Sequence, residues 1–85
     1  MITPIESQDS DEFKRTREHA QGAARRYPGR EVYVTATLDG YYNQEEQRYI
    51  TWNNYGYTFD PTQYRENELI AGYIFNPETM VIEYL

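Results

Sequence analysis

One histidine, His19, and no cysteine are present, so acid–base or nucleophilic chemistry would have to be built from His19, hydroxyls or carboxylates. A histidine serving as general base needs an orienting partner on one ring nitrogen and a nucleophile within reach of the other. His19 sits beside Glu18 and one helical turn from Arg15, and candidate hydroxyls exist but none is placed near it by any motif. A solvent-facing histidine on a helix is the simpler reading. Zinc-protease, nucleophile-elbow, phosphate-loop and dinucleotide-turn patterns are all missing, and the five glycines are scattered.

Asp39, Asn43, Glu45 and Glu46 form a second constellation, with oxygen ligands of the kind a hard cation takes. Their spacing lacks the mid-loop glycine of a calcium-binding loop, so they read as a solvated acidic turn. A carboxylate pair for glycoside chemistry needs a cleft, and a chain this small has little room for one. No metal, no cofactor and no enzymatic activity are therefore expected. In a third stretch, Asn54-Tyr55-Gly56-Tyr57-Thr58-Phe59 resembles the aromatic–Gly–aromatic strands on which RNA-recognition and cold-shock domains stack bases. Here no basic residue precedes it, Thr58 stands where an aliphatic is usual, and the surroundings are acidic. Binding of single-stranded nucleic acid or a small ligand through Trp52, Tyr55 and Tyr57 stays as an alternative, and direct nucleic-acid contact is not expected.

The more telling feature is the tyrosine content. Nine of the ten tyrosines follow residue 30, and that stretch carries nine acids against Arg48 and Arg65. Residues 1–30 hold five acids and six bases, so the net charge of −6 comes from the later part. This balance opposes non-specific attachment to nucleic acid or anionic lipid. No apolar run approaches the roughly 20 residues of a membrane-spanning helix. The N-terminus lacks the basic and apolar regions of a signal peptide. A soluble cytoplasmic protein is the expectation.

These side chains are positioned by elements that the pattern foretells. The 85 residues make one domain: residues 1–8 a tail, 9–27 a helix, and 31–85 mainly antiparallel sheet. Asp9 and Glu12 have capping-box spacing, Phe13, Ala20, Ala23, Ala24 and Tyr27 share one helical stripe, and Pro28-Gly29 stops the helix. Residues 31–38 alternate as a strand, as do 47–54, with Tyr55, Tyr57 and Phe59 continuing or following. Setting Leu38 opposite Trp52 puts the Val32, Val34, Leu38, Ile50 and Trp52 side chains on one core face, with Tyr33 and Tyr49 on the other. Asp60-Pro61 opens a short helical turn near 61–66. Residues 69–75 and 80–85 pair across Asn76-Pro77-Glu78-Thr79. The expected fold is α+β, one N-terminal helix on a four- to five-stranded antiparallel sheet.

Tyrosine and threonine rimmed by acids make an interface-like composition. The expected function is a small acidic protein-binding module, its contacts Tyr33, Tyr49, Tyr55, Tyr57, Asp39, Glu45, Glu46, Asp60, Glu66 and Glu68. In its sharper form it is a nucleic-acid mimic: an inhibitor of the kind phages and plasmids carry, occupying the basic nucleic-acid-binding surface of a processing enzyme. The alternative is a homo-oligomeric structural or regulatory subunit. Its dimer seam would be the two-sided apolar C-terminal hairpin, with Tyr73, Phe75, Ile82 and Tyr84 meeting their copies.

Overall fold

The computed structural model describes residues 11–85. The expected tail and the Asp9 cap lie outside them. A helix, α1, runs over Asp11–Arg26 and buries Phe13, Ala20, Ala23 and Ala24. Three alanines on one stripe remove bulk from the contact, so the helix axis approaches the sheet closely. Phe13 supplies the one large anchor, and its burial contributes about 1.5–3 kcal/mol. Acids in the first turn and Arg25 and Arg26 in the last complement the helix dipole. Gly29 adopts φ +83°, a conformation without penalty only for glycine, and its N–H donates to the Phe75 carbonyl at 3.0 Å.

Four strands follow: β1 (Val32–Asn43), β2 (Arg48–Thr58), β3 (Leu69–Asn76) and β4 (Val81–Tyr84). They form one antiparallel sheet in the order β2-β1-β3-β4. The expected fold class is thus observed, with four strands. Both hairpins close the same way. Asn43 Oδ1 accepts from the Glu45 and Glu46 amides, Asn76 Oδ1 accepts from the Glu78 amide, and Gln47 and Met80 end the turns at positive φ. Between β2 and β3 the chain crosses β1 through two 3-10 turns, Pro61–Gln63 and Glu66–Glu68. Asp60 caps the first, as expected, by accepting from the Thr62 amide.

The core lies between α1 and one sheet face. It holds Phe13, the three alanines, Val32, Val34, Ala36, Ile70, Tyr73 and Phe75, with Tyr55, Phe59, Ala71 and Ile82 packed at its margin. A β-bulge at Ile70, opposite the Val34–Thr35 step, changes which β3 side chains point inward. Simple alternation sets Leu69 with Tyr73 and Phe75. The extra residue turns Ile70 to the α1 side, and Leu69, opposite the buried Thr35, to the reverse side.

Only Val32–Thr35 of β1 pair with β3, whereas β1 and β2 stay paired from Tyr33↔Thr58 to Asn43↔Arg48. Beyond Thr35 the sheet becomes a two-stranded ribbon, hereafter the arm. The molecule measures 57 × 25 × 18 Å with a radius of gyration of 15.0 Å; a compact chain of this length would have about 12 Å. No helix among the described residues is long and apolar enough to cross a membrane.

The β1–β2 register departs from expectation by one residue. Trp52 lies opposite Asp39, and Leu38 opposite Asn53. Because side chains alternate with period two, this slip exchanges the faces of β2 relative to β1. Tyr55 and Tyr57 turn to the α1 side beside Ala36 and Val34, while Ile50 and Trp52 turn to the reverse side. Trp52 and Leu38 are exposed on the arm rather than part of the core.

Candidate partner-binding surface

The arm gathers most of the exposed aromatic surface. On its reverse face Tyr41 and Trp52 meet edge to face at 6.2 Å between centroids, beside Ile50. On its α1-side face Tyr42 and Tyr49 do the same at 5.1 Å, beyond Leu38. Leu38 and Tyr49 are 71 % exposed, Tyr41 53 %, Tyr42 48 % and Trp52 43 %. Such pairs hold one another's rotamers and contribute about 0.5–1.5 kcal/mol each beyond area burial. They leave both faces uncovered. Trp52 is fixed further: its Nε1–H donates to Asn54 Oδ1 at 3.2 Å, and Asn54 Nδ2 donates to Asp39 Oδ2 at 3.4 Å. The other oxygen of Asp39 accepts from the Gly40 amide.

The tyrosines singled out from the sequence do not form one surface. Tyr33 is half-buried on the reverse face, and its hydroxyl donates to Glu31 Oε1 at 2.8 Å. Partial burial, then that hydrogen bond and the carboxylate charge, push its pKa above the usual phenol range. Tyr55 packs into the core margin edge to face with Phe13. Tyr57 is 39 % exposed and leans on Phe59, which also carries Tyr27 and the Arg30 guanidinium. Of the four, Tyr49 sits on the exposed length of the arm and Tyr55 at its buried root. Tyr55 and Tyr57 face away from Trp52, so the three cannot make a single stacking platform. Tyr41 and Tyr42 were not among the expected contacts, and Trp52 was one only of the stacking alternative. Adjacent tyrosines at 41–42, just before the turn, were the available signal.

The acids singled out from the sequence lie on separate elements. Glu45 and Glu46 stand at the arm's tip, where Glu46 pairs with Arg48 at 2.8 Å across exposed side chains. Asp60 caps its 3-10 turn, and hydrogen bonds from Thr62 hold its carboxyl below the ordinary range. Glu68 Oε1 accepts from the Arg65 amide at 2.7 Å. Near the arm's root, Arg65, Asn67 and Glu68 line an open concavity of about 480 Å³ together with Ala36, Leu38 and Asn53. Glu66 adjoins it in the same 3-10 turn. No group of three metal-ligating side chains comes together among the described residues. His19 is exposed on α1.

The C-terminal seam expected for a dimer is corrected by the core. Tyr73 and Phe75 are 4 % and 8 % exposed beneath α1, and Ile82 is half-buried beside them, so only Tyr84, at 77 %, is open to a copy. Of the hairpin's two apolar sides, α1 covers the one with Tyr73 and Phe75, while Val81 and Leu85 on the reverse side are 54 % and 44 % exposed.

No protein-family model matches this chain, and neither a curated protein nor a solved structure matches it significantly.

Proposed function

We propose that this chain is a non-enzymatic protein-binding module whose arm enters a cleft of its partner. The supporting observation is a two-stranded ribbon that carries four exposed aromatic rings, paired edge to face, beyond the reach of its own core. Rigid Tyr and Trp side chains bury large areas at small entropic cost, which is why they dominate interface energetics. Glu45 and Glu46 at the tip, with Glu66 and Glu68 near the root, give the arm an anionic outline. That outline fits a cleft lined with arginine and lysine, as in nucleic-acid-processing enzymes, and the inhibitory mimic is the sharper form of the reading.

The test titrates the chain against basic nucleic-acid-processing enzymes while following Trp52, the single tryptophan. Trp52→Ala and Tyr41→Ala variants, followed by surface binding, are expected to speed dissociation. Glu45→Gln with Glu46→Gln is expected to slow association and flatten its salt dependence. Affinity indifferent to ionic strength would refute mimicry. Affinity indifferent to the ring variants would refute the arm as the contact.

A further inference from the structure

We infer that the open edge of β2 pairs antiparallel with β2 of a second copy, each arm lying along the other's body in one eight-stranded sheet. This goes beyond the partner-binding reading and does not depend on it, since it uses the main-chain edge of β2.

An exposed sheet edge is a template for strand addition, and monomeric proteins blunt it with short strands, lysine, proline or bulges. The edges of this sheet differ in that respect. β4 is four residues long, and β1 beyond Thr35 carries the charge of Asp39 and has the Glu66–Glu68 turn against it, whereas β2 runs for eleven with no lysine, no proline and an unbroken register to β1. After Arg48, β2 carries no charge through Thr58. Its residues are aromatic, β-branched or amide, apart from Gly56.

Self-pairing is favoured over pairing with an arbitrary strand because β2 complements its own reverse. With the two-fold axis at Asn53, Tyr49 lies beside the copy's Tyr57, Ile50 beside Gly56 and Trp52 beside Asn54. Both helices then stay on one side of the sheet, since an even register keeps each face with its own kind. Gly56 suits its place: a Cβ there would have Thr35 Oγ1 as its nearest neighbour, at 3.5 Å, leaving room for the copy's Ile50. Arg48, the one charge on the strand, falls opposite Thr58 and diagonal to Asp60 at the far end. Pairing also supplies what the arm lacks. A two-stranded ribbon is marginal in water, and a third strand backed by a packed body is what makes such a sheet stable. At about 150–250 Å² per ring, the exposed parts of Tyr49, Trp52 and Tyr57 offer roughly 300 Å² of aromatic surface per copy. That is a substantial part of the roughly 600 Å² per partner at the lower limit of stable interfaces.

The absence of cysteine makes the test direct. Residues facing each other across an antiparallel pair have Cα atoms about 4.5–5.5 Å apart, within disulfide range. Asn53→Cys in the full chain is therefore expected to oxidise to a covalent dimer at least ten times faster than Glu78→Cys in the other hairpin's turn. Light scattering at about 100 μM is expected to give a dimer. Gly56→Lys, with an unchanged circular-dichroism spectrum, is expected to weaken that dimer at least tenfold. Slower exchange of β2 amides at high than at low protein concentration gives the same answer without any variant. A monomeric wild type at that concentration overturns the inference. So does a dimer in which Asn53→Cys cross-links no faster than Glu78→Cys. A dimer without any partner affinity, or a monomer that still binds through its rings, separates this proposal from the preceding one.

Discussion

Gly40 tests whether the arm is an annex of the fold or a part of its core. A Cβ at this position would lie 2.6 Å from the Ile50 carbonyl oxygen and 2.9 Å from Thr51 Cγ2. Contacts below 3.0 Å require movement, and the nearer atom is main chain, so Gly40→Ala must push the two strands apart. Strain of this kind typically costs about 1–3 kcal/mol. Opposing it are two edge-to-face aromatic pairs, Tyr41–Trp52 across Gly40 and Tyr42–Tyr49 distal to it, together contributing about 1–3 kcal/mol. The two magnitudes are similar, so the arm's closed state loses most of its advantage. A change near 2 kcal/mol corresponds to roughly 30-fold in the opening equilibrium. Amides between residues 39 and 53 are therefore expected to exchange roughly 30-fold faster, while those of Val32, Val34 and Tyr73 hardly change. Near-ultraviolet dichroism of Trp52 should diminish, and the global urea midpoint should fall by less than the equivalent of about 1 kcal/mol. Uniformly faster exchange with a large midpoint loss would refute the reasoning, because it would make the arm part of the cooperative core.

Phe13→Ala should behave oppositely. Removing the sole large anchor of α1 is expected to cost about 3–5 kcal/mol, a large share of the roughly 4–13 kcal/mol available to a chain of this length, read as a collapse of the urea midpoint. Gly29→Ala forces a side chain to φ +83° and should cost about 1–2 kcal/mol by the same assay. Burial raises the pKa of Tyr73, against an opposing contribution from Arg17. The folded state thus keeps this proton at pH values where the unfolded chain has lost it. The resulting stability is fully present below about pH 10 and is lost as pH rises beyond that. Tyr73→Phe should flatten that alkaline decline in denaturation curves measured across it.

Much of the fold could be read residue by residue. Phe13 and the alanine triplet announced the helix and its buried side, Pro28-Gly29 its end, and Asp60-Pro61 a capped turn. Asn76-Pro77 announced the second hairpin. These are local signals, carried by interactions within a few residues of chain. The placement of the aromatic side chains was far less legible. Alternation of residues 47–54 points Trp52 into the core, whereas it is 43 % exposed on the arm with Tyr41, Tyr42 and Tyr49.

The chain's own order of residues determined a helix, a run of four to five strands and the turn at Asn76-Pro77, since each is settled by steric and hydrogen-bonding preferences of neighbours. Tertiary structure decided the rest through two displacements of one residue. The β1–β2 register, Asp39 rather than Leu38 opposite Trp52, exchanged the faces of β2. The bulge at Ile70 exchanged Leu69 and Ile70. Strands rich in tyrosine, threonine and asparagine suit either face, so no local preference selects a register. Packing of Val32, Val34 and Tyr55 under Phe13 makes that selection, and it leaves the arm's rings to solvent.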